Sequence, residues 1–245
     1  MRQPPQTILA FESSSDALSL ALSTAGQCTE RCLDGGAQAS GQILPLLQSL
    51  LADAGLAWAD VNLLAFGRGP GAFTGVRVAV AVAQGLALAH QLALAPLSGL
   101  LAMAEDASAH FSFAQPCEVL SVQDARMGQV YAGRCRWDGA RWHLLQEQLL
   151  DARDLAALSE SMAATCVVGN IRAAFAQMQL PLPNAFFDAA PRAAALIRVA
   201  QQNEAAGVPV LHDAALALPV YLRDKVAQTT AERQMLAQSQ DGAAA

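Results

Sequence analysis

The sequence predicts an α/β fold made of two similar halves, and three observations support this prediction. Hydrophobic residues make up 53% of the 245 residues, which is enough for a sizeable core. Short apolar runs that suit strands alternate with helical patterns. The order of these patterns, β-β-β-α-β-α, occurs twice along the chain. We therefore expect two lobes, residues 1–110 and 111–226, followed by a flexible tail at 227–245.

The first half begins with three strand patterns joined by polar turns. These strands are predicted at residues 7–12, 17–23 and 28–33. A helical pattern follows at 40–54, and its apolar residues cover an arc of about 160°, wider than the roughly 100° that one core contact requires. Gly55 suits the left-handed position that ends a helix.

A glycine-rich stretch, residues 67–77, joins a predicted strand at 63–66 to a predicted helix at 75–90. Four glycines and one proline occur in its first nine residues, which favours a tight corner. We predict that Thr74 caps the helix. Phosphate binding is the alternative, but the stretch lacks the lysine of a P-loop and the third glycine of a dinucleotide motif. The residues assigned to this structural loop are Gly69, Pro70, Gly71, Thr74 and Gly75.

The helix predicted at 75–90 has two apolar stripes on nearly opposite sides. Such a helix either lies wholly inside its own domain or presents one stripe to a partner, and the sequence leaves both alternatives open. One stripe consists of Val76, Val80, Ala83 and Ala87, and the other of Val78, Val82, Gly85, Leu86 and Ala89.

The second half repeats the order of the first. A strand at 92–97 and a helix from Ser98 to about residue 109 end the first half, and residues 111–116 are predicted to link the halves. Three hairpin-connected strands followed by helical crossovers form the ribonuclease-H-like arrangement, and two such halves form the ground plan of actin-like ATPases. The later elements are strands at 118–123, 129–137, 141–148 and 165–169, a helix capped by Asp151, and a helix at 192–206.

Charge and composition argue against several function classes. A net charge of −6 disfavours nucleic-acid binding by this chain alone. The five cysteines form no Cys-x-x-Cys pair, so we expect reduced, mostly buried thiols. We predict no leader, because residues 1–6 lack the apolar core of a signal peptide. We predict no membrane span, because Arg77, Gln84, His90 and Gln91 interrupt the longest apolar stretch, and we expect a cytoplasmic protein.

Isolated polar residues give weaker signals. The histidines at 90, 110, 143 and 212 lack the paired spacing of a metal-binding helix, so each is predicted to be structural and no metal site is predicted. Ser13, Ser14 and Ser15 do not lie in a Gly-x-Ser-x-Gly motif. Glu105 and Asp106 are expected on a solvated face.

Five stretches, in order along the chain, resemble the bacterial TsaB (YeaZ) family, which is required for making threonylcarbamoyladenosine in tRNA. The glycine-rich stretch and the hairpin at 124–131 are specific, and the other three are supporting. The five are residues 8–14 (Ile-Leu-Ala-Phe-Glu-Ser-Ser), 67–77, 83–87 (Ala-Gln-Gly-Leu-Ala), 124–131 (Asp-Ala-Arg-Met-Gly-Gln-Val-Tyr) and 219–223 (Pro-Val-Tyr-Leu-Arg).

The resemblance implies a two-lobed actin-like fold and a non-catalytic scaffold that activates a TsaD-like partner. That partner carries the metal and transfers the threonylcarbamoyl group, and a TsaE-like ATPase joins the pair. ATP or ADP, metal and tRNA would then be bound through the complex rather than by this chain alone. A homodimer is the other expected association. The predicted interface consists of Ile43, Leu46, Leu47, Leu50, Val78, Val82, Gly85 and Leu86.

A nucleotide site in this chain is disfavoured at the end of the first strand. An actin-like site requires an aspartate there to organise Mg²⁺, whereas this chain has Glu12 followed by serines. The candidate nucleotide-proximal residues are Glu12, Ser13, Asp124 and Arg126, although an aspartate turn with an internal ion pair is the alternative for the last two.

Three further expectations concern residues 219–223, the start of the first helix and an alternative function. We expect residues 219–223 to dock onto the body of the protein. Relatives carry a histidine at the start of the first helix, where this chain has Gln38-Ala39-Ser40. A partner contact made by that histidine therefore cannot be assigned to this chain. The alternative function is an independent nucleotide hydrolase or peptidase on the same fold.

Overall fold

Two five-stranded sheets form the centre of the protein. The computed structural model describes residues 6–35, 39–108, 115–162 and 164–223. The predicted tail and most of the predicted linker lie outside these residues. The elements of the first half are β1 (Ile8–Glu12), β2 (Ala17–Thr24), β3 (Gln27–Asp34), α1 (Ile43–Asp53), β4 (Leu63–Gly67), α2 (Phe73–His90), β5 (Ala93–Leu97) and α3 (Gly99–Ser108).

The second half follows the same order of elements. Its members are β6 (Cys117–Arg126), β7 (Gln129–Trp137), β8 (Trp142–Asp151), α4 (Leu155–Ser161), β9 (Cys166–Gly169), α5 (Arg172–Gln177), β10 (Phe186–Asp188) and α6 (Ala193–Ala205). The prediction missed α5 and β10, because elements of six and three residues are too short to show a hydrophobic period. The Asp151 cap is confirmed, since its carboxylate accepts from Arg153 N, although the capped turn is a 3₁₀ turn before α4.

The two sheets have the same topology. The strand order is β3-β2-β1-β4-β5 in the first sheet and β8-β7-β6-β9-β10 in the second. In each, the first strand pairs antiparallel with the second and parallel with the fourth. This duplication confirms the predicted pair of ribonuclease-H-like lobes arranged as in actin-like ATPases.

The central helices α3 and α6 lie between the sheets. α6 packs on β1, β2 and β4 of the first sheet, whereas α3 packs on β6, β7 and β8 of the second. A continuous apolar cluster joins these four layers, with Ile8, Leu100, Leu196 and Trp142 among its buried members. Each sheet therefore covers a helix from the other half of the chain, and the lobes share a core.

Polar contacts reinforce this shared core. Glu105 on α3 is 4% exposed, and its carboxylate accepts from Arg198 Nε at 2.6 Å and Gln202 Nε2 at 2.8 Å on α6. Asp106 accepts from Ala190 N at 3.0 Å. The prediction that these two acids lie on a solvated face was wrong, because the sequence does not show that a second helix covers α3.

The start of α6 is capped by the first sheet rather than by its own residues. Arg192 at the N-cap position makes no side-chain cap. Instead, Ala193 N donates to Ser19 Oγ at 2.8 Å, and Ala194 N donates to Glu30 Oε1 at 2.9 Å. Two donors that a helix start leaves unpaired are thus satisfied by β2 and β3.

Several local predictions differ from the structure. α2 begins at Phe73, so Thr74 lies inside the first turn and the N-cap is Ala72, which makes no side-chain cap. The predicted start of the first helix is a 3₁₀ turn, and the α-helix begins at Ile43. Cys28 and Cys32 are exposed and only Cys135 and Cys166 are buried, so the expectation of mostly buried thiols was wrong.

α2 meets the length and composition of a membrane span, with 18 residues and a mean hydropathy of 1.3, and it is the single such helix among the described residues. The same properties are found in core helices of globular domains. The stripe of Val76, Val80, Ala83 and Ala87 is buried against the first sheet, so α2 is a packed helix of its lobe.

Candidate functional site

The glycine-rich loop lies directly against the turn between β1 and β2. A Cβ added to Gly67 would overlap the Glu12 carboxylate, and one added to Gly71 or Gly75 would overlap the backbone carbonyl of Ser14 or Ser13. Ala72 N donates to Ser14 O at 2.7 Å, so this loop amide is engaged by the protein itself. The glycines therefore permit close backbone approach, which is the structural role predicted for the loop.

Glu12 is enclosed beneath this loop. Its side chain is fully buried, Oε1 accepts from Ser14 N at 2.6 Å, and Oε2 has no hydrogen-bond partner among the described residues. Burial raises the pKa of the Glu12 carboxyl, and hydrogen bonds from Ser14 and Ser13 oppose that rise. A carboxyl in this position cannot approach a solvated Mg²⁺ ion without rearrangement of the loop.

The turns β1–β2 and β6–β7 are tied together by charge. Arg126 pairs with Asp16 across the lobes and with Asp124, at 3.2 Å, on its own hairpin. Asp124 Oδ1 also accepts from Arg126 N at 2.8 Å, which fixes the turn. Asp124 therefore forms the aspartate turn with an internal ion pair, which is the alternative to a phosphate contact that the sequence analysis gave for Asp124 and Arg126.

A cleft of about 280 Å³ lies between the two lobes at these turns. We call it the interlobe cleft. Its floor contains Ser14 and Gln123, and its mouth is flanked by the paired charges of Asp16 and Arg126. Its walls are completed by Pro70 and Gly71 of the glycine-rich loop, by Asn170 before α5 and Ala173 within it, and by residues 220–223.

Residues 219–223 bridge the lobes along one wall of the interlobe cleft. Val220 N donates to Arg68 O at 2.8 Å, and Arg77 Nε donates to the Tyr221 hydroxyl at 2.8 Å. Arg223 Nη2 donates to Ala125 O at 2.9 Å and to Gln129 Oε1 at 2.7 Å. This segment thus contacts both the glycine-rich loop and the hairpin of the second lobe.

The side of α2 opposite its buried stripe is exposed, and we call it the α2 face. It consists of Arg77, Ala81, Gly85 and Leu88, with half-buried Val78 and Val82 at its edge. Leu88 is 76% exposed, and a Cβ added to Gly85 would meet no atom within 4 Å. Exposed Leu216 and Leu218 extend this surface beside α2, where Gln84 Nε2 donates to Ala217 O at 3.1 Å.

The structure separates the predicted interface residues into two groups. Ile43, Leu47, Leu50 and Leu86 are buried in the core of the first lobe, so their side chains are not available to a partner in this conformation. The cause is the wide apolar arc of α1, most of which packs on the first sheet. Gly85 is exposed, and Leu46, Val78 and Val82 are half-buried.

Two of the described histidines have structural surroundings. His90 stacks on Trp58 with 4.9 Å between ring centroids, and His143 pairs with Asp138 at 2.6 Å. Across residues 6–35, 39–108, 115–162 and 164–223, no group of three or more His, Cys, Asp or Glu side chains could hold a metal ion. His110 lies outside these residues.

The sequence argument missed the roles of Gln123 and Tyr221 at the cleft and of Glu30 at the start of α6. Gln123 was treated as the last residue of a strand, although a polar side chain at the end of an apolar run was a usable signal. Glu30 carried no signal, because its partner Ala194 lies 164 residues away. Tyr221 lay within the stretch expected to dock, but its contact with Arg77 was not predicted.

The comparisons with known proteins agree with this geometry. The family model described as TsaD, tRNA N6-adenosine threonylcarbamoyltransferase, matches residues 37–231. The tRNA threonylcarbamoyladenosine biosynthesis protein TsaB of Haemophilus influenzae is 43% identical over 125 residues, which cover 51% of this chain and 52% of the relative. The TsaB protein of Escherichia coli is 39% identical over 137 residues, covering 56% and 58%.

Matches to these curated relatives thus span only about half of their length, whereas a solved structure is matched throughout. The structure of YeaZ from Pseudomonas aeruginosa is 32% identical with a TM-score of 0.74, and the match covers 89% of this chain and 100% of YeaZ. Given this likeness and the match to the family model, the chain belongs to the TsaB (YeaZ) family.

Proposed function

We propose that this protein is a non-catalytic component in the formation of threonylcarbamoyladenosine in tRNA, where it acts as the partner of a TsaD-like protein. The names of its relatives and the TsaD-type family model support this role. The observation that carries the non-catalytic part is the enclosed Glu12 carboxyl, which occupies the position where an actin-like site requires an accessible aspartate.

The α2 face is the surface that we assign to the partner. Its exposed Ala81 and Gly85 permit close approach of another helix, and Leu88, Leu216 and Leu218 supply apolar area. The buried residues of α1 and Leu86 support this surface from below. A second copy of the chain could use the same face when the TsaD-like protein is absent.

Cofactors, tRNA and the TsaE-like ATPase enter this proposal only through the complex. The chain carries a net charge of −6, and both arginines of the interlobe cleft are engaged by protein atoms. We therefore assign nucleotide, metal and tRNA binding to the partners. A component of a tRNA-modifying complex would work in the cytoplasm.

Depletion and complementation test the function. Cells depleted of this protein should lose threonylcarbamoyladenosine from digests of total tRNA, and the intact chain should restore it. Leu88→Glu should fail to restore it, because a charge in a helix contact is poorly tolerated. Ala176→Glu, an exposed change on α5, is the matched control and should restore the nucleoside. Unchanged nucleoside levels on depletion would rule the proposal out.

A further inference from the structure

Residues 219–223, which we call the strap, lie directly on the glycine-rich loop. Val220 N donates to Arg68 O at 2.8 Å, and a Cβ added to Gly69 would lie 2.9 Å from Val220 O. Only a glycine therefore permits this close approach of the two backbones. Leu222 packs against the apolar cluster that both lobes share. The strap is thus fixed on the first lobe and on the shared core before it reaches the second lobe.

A cluster of three side chains joins the strap to the start of α2. Arg77 Nε donates to the Tyr221 hydroxyl at 2.8 Å, and the Arg77 guanidinium lies 3.7 Å from the centroid of the Phe73 ring. Tyr221 is 43% exposed and Arg77 belongs to the exposed α2 face, so water competes for this hydrogen bond in the isolated chain. A protein that covers the α2 face would exclude that water and strengthen the bond.

The other end of the strap holds a turn that has an unfavourable backbone. Arg126 and Met127, between β6 and β7, have φ values of 62° and 57°, which residues other than glycine rarely adopt. Arg223 Nη2 donates to Ala125 O at 2.9 Å and to Gln129 Oε1 at 2.7 Å. Arg223 Nη1 also donates to Met127 Sδ at 3.5 Å. One guanidinium therefore contacts both sides of the β6–β7 turn.

We propose that the strap couples the α2 face to the contact between the lobes. The coupling rests on the proposed function, because the TsaD-like partner is the protein that covers the α2 face. When the partner covers Arg77 and Tyr221, the strap is held more firmly at α2, and Arg223 holds the β6–β7 turn more firmly in consequence. That turn carries Arg126, whose pair with Asp16 joins the lobes. Because coupling is reciprocal, loosening the Arg223 end weakens partner binding.

Hydrogen exchange of residues 124–131 in the isolated chain tests the connection without a partner. Tyr221→Phe removes the bond to Arg77 and keeps the ring, so local exchange of this hairpin should become about fivefold faster, the value of one hydrogen bond. Glu30→Ala is the control, because it removes a cap of α6 that local opening of the hairpin does not break. Unchanged exchange in Tyr221→Phe, or an equal rise in Glu30→Ala, would overturn the proposal.

The same readout tests the effect of the partner. The TsaD-like protein should slow the exchange of residues 124–131 in the natural chain, and Tyr221→Phe should lose this slowing. In affinity titrations, Tyr221→Phe and Arg223→Lys should each weaken association about fivefold. The double variant should bind no more weakly than either single variant, because both changes interrupt one connection. Losses that add in the double variant would indicate two independent contacts and would sink the coupling.

The strap and the proposed function fail in different ways. If the natural chain does not bind the TsaD-like protein, the proposed function is wrong, while faster exchange in isolated Tyr221→Phe still supports the connection from α2 to the β6–β7 turn. If the natural chain binds the partner and the exchange of residues 124–131 does not change, the proposed function stands and the coupling is wrong.

Discussion

At the residue scale, the buried Glu12 side chain argues against the Mg²⁺–nucleotide site that actin-like ATPases have at this position. Its carboxyl lies between the backbone of Gly67 and that of Gly99. A Cβ added to Gly99 would be 3.6 Å from Glu12 Oε2. Position 12 was identified from the sequence because the fold requires an acid at the end of the first strand. Its enclosure was not, since it depends on a loop that starts 55 residues later.

Glu12→Gln should stabilise the protein increasingly as the pH rises. The pKa of this carboxyl is raised above its ordinary value of 4.5, so the native protein binds the proton more tightly than the unfolded chain does. The stability that the neutral carboxyl contributes is complete below pH 4.5 and is lost as the pH rises through the native pKa. Gln keeps an acceptor for Ser14 N and does not ionise.

Urea unfolding at several pH values measures this effect. The difference in free energy of unfolding between Glu12→Gln and the natural chain should grow from pH 4 to pH 8. Glu160→Gln, an exposed change on α4, provides the control. A difference that is independent of pH would show that the fold does not raise the pKa of the Glu12 carboxyl.

At the element scale, the local sequence explains the burial of some helices, whereas the capping of others depends on the tertiary structure. The stripe of α2 that contains Val76 and Val80 was predictable from its period, and the structure shows it buried. The other predicted stripe is not exposed as a unit, because Leu86 is buried and Val78 and Val82 are half-buried. The capping of α6 was not predictable, because its caps come from β2 and β3. Local propensity therefore located α6 without explaining what stabilises its start.

Loss of the Glu30 cap should destabilise the protein. Glu30 Oε1 accepts from Ala194 N and from Ser19 Oγ, so Glu30→Ala removes two hydrogen bonds at the start of α6. We expect the free energy of unfolding to fall by about 1–2 kcal/mol, the usual value of a helix cap. Chemical denaturation measures it, and a Glu30→Gln variant that loses as much would contradict capping through the side-chain oxygen.

Gly85→Ala should separate stability from association. The position lies inside a helix and a Cβ there meets no atom within 4 Å, so the isolated chain should gain about 0.5–1 kcal/mol. If a partner helix approaches closely at Gly85, the same methyl group should weaken association. Thermal unfolding and a titration with the TsaD-like protein measure the two effects, and a stabilised variant with unchanged affinity would place the contact elsewhere on the α2 face.

At the scale of the whole molecule, the two lobes share one core. The duplicated order of elements was predictable from the sequence. From that order we predicted two lobes that follow one another along the chain, residues 1–110 and 111–226. The exchange of α3 and α6 between the sheets was not predictable, because an Ala- and Leu-rich helix has no pattern that specifies which sheet it covers. The Glu105–Arg198 pair lies in this shared layer.

The shared core predicts that both lobes unfold together. Hydrogen exchange should give the same free energy of opening for amides in β1 and β6, because separating the lobes exposes the apolar cluster of both. Glu105→Ala removes the acceptor for Arg198 and Gln202, and it should lower both values equally. Earlier exchange of one sheet would show that the lobes are independent units.

The central claim, that this protein acts as a partner through the α2 face, is tested most directly by association of purified proteins. The natural chain and Ala176→Glu should coelute with the TsaD-like protein in size-exclusion chromatography. Leu88→Glu should elute separately with an unchanged Tm, since a side chain that is 76% exposed contributes little to the isolated fold. Coelution of Leu88→Glu at the natural affinity, or separate elution of the natural chain, would contradict the account.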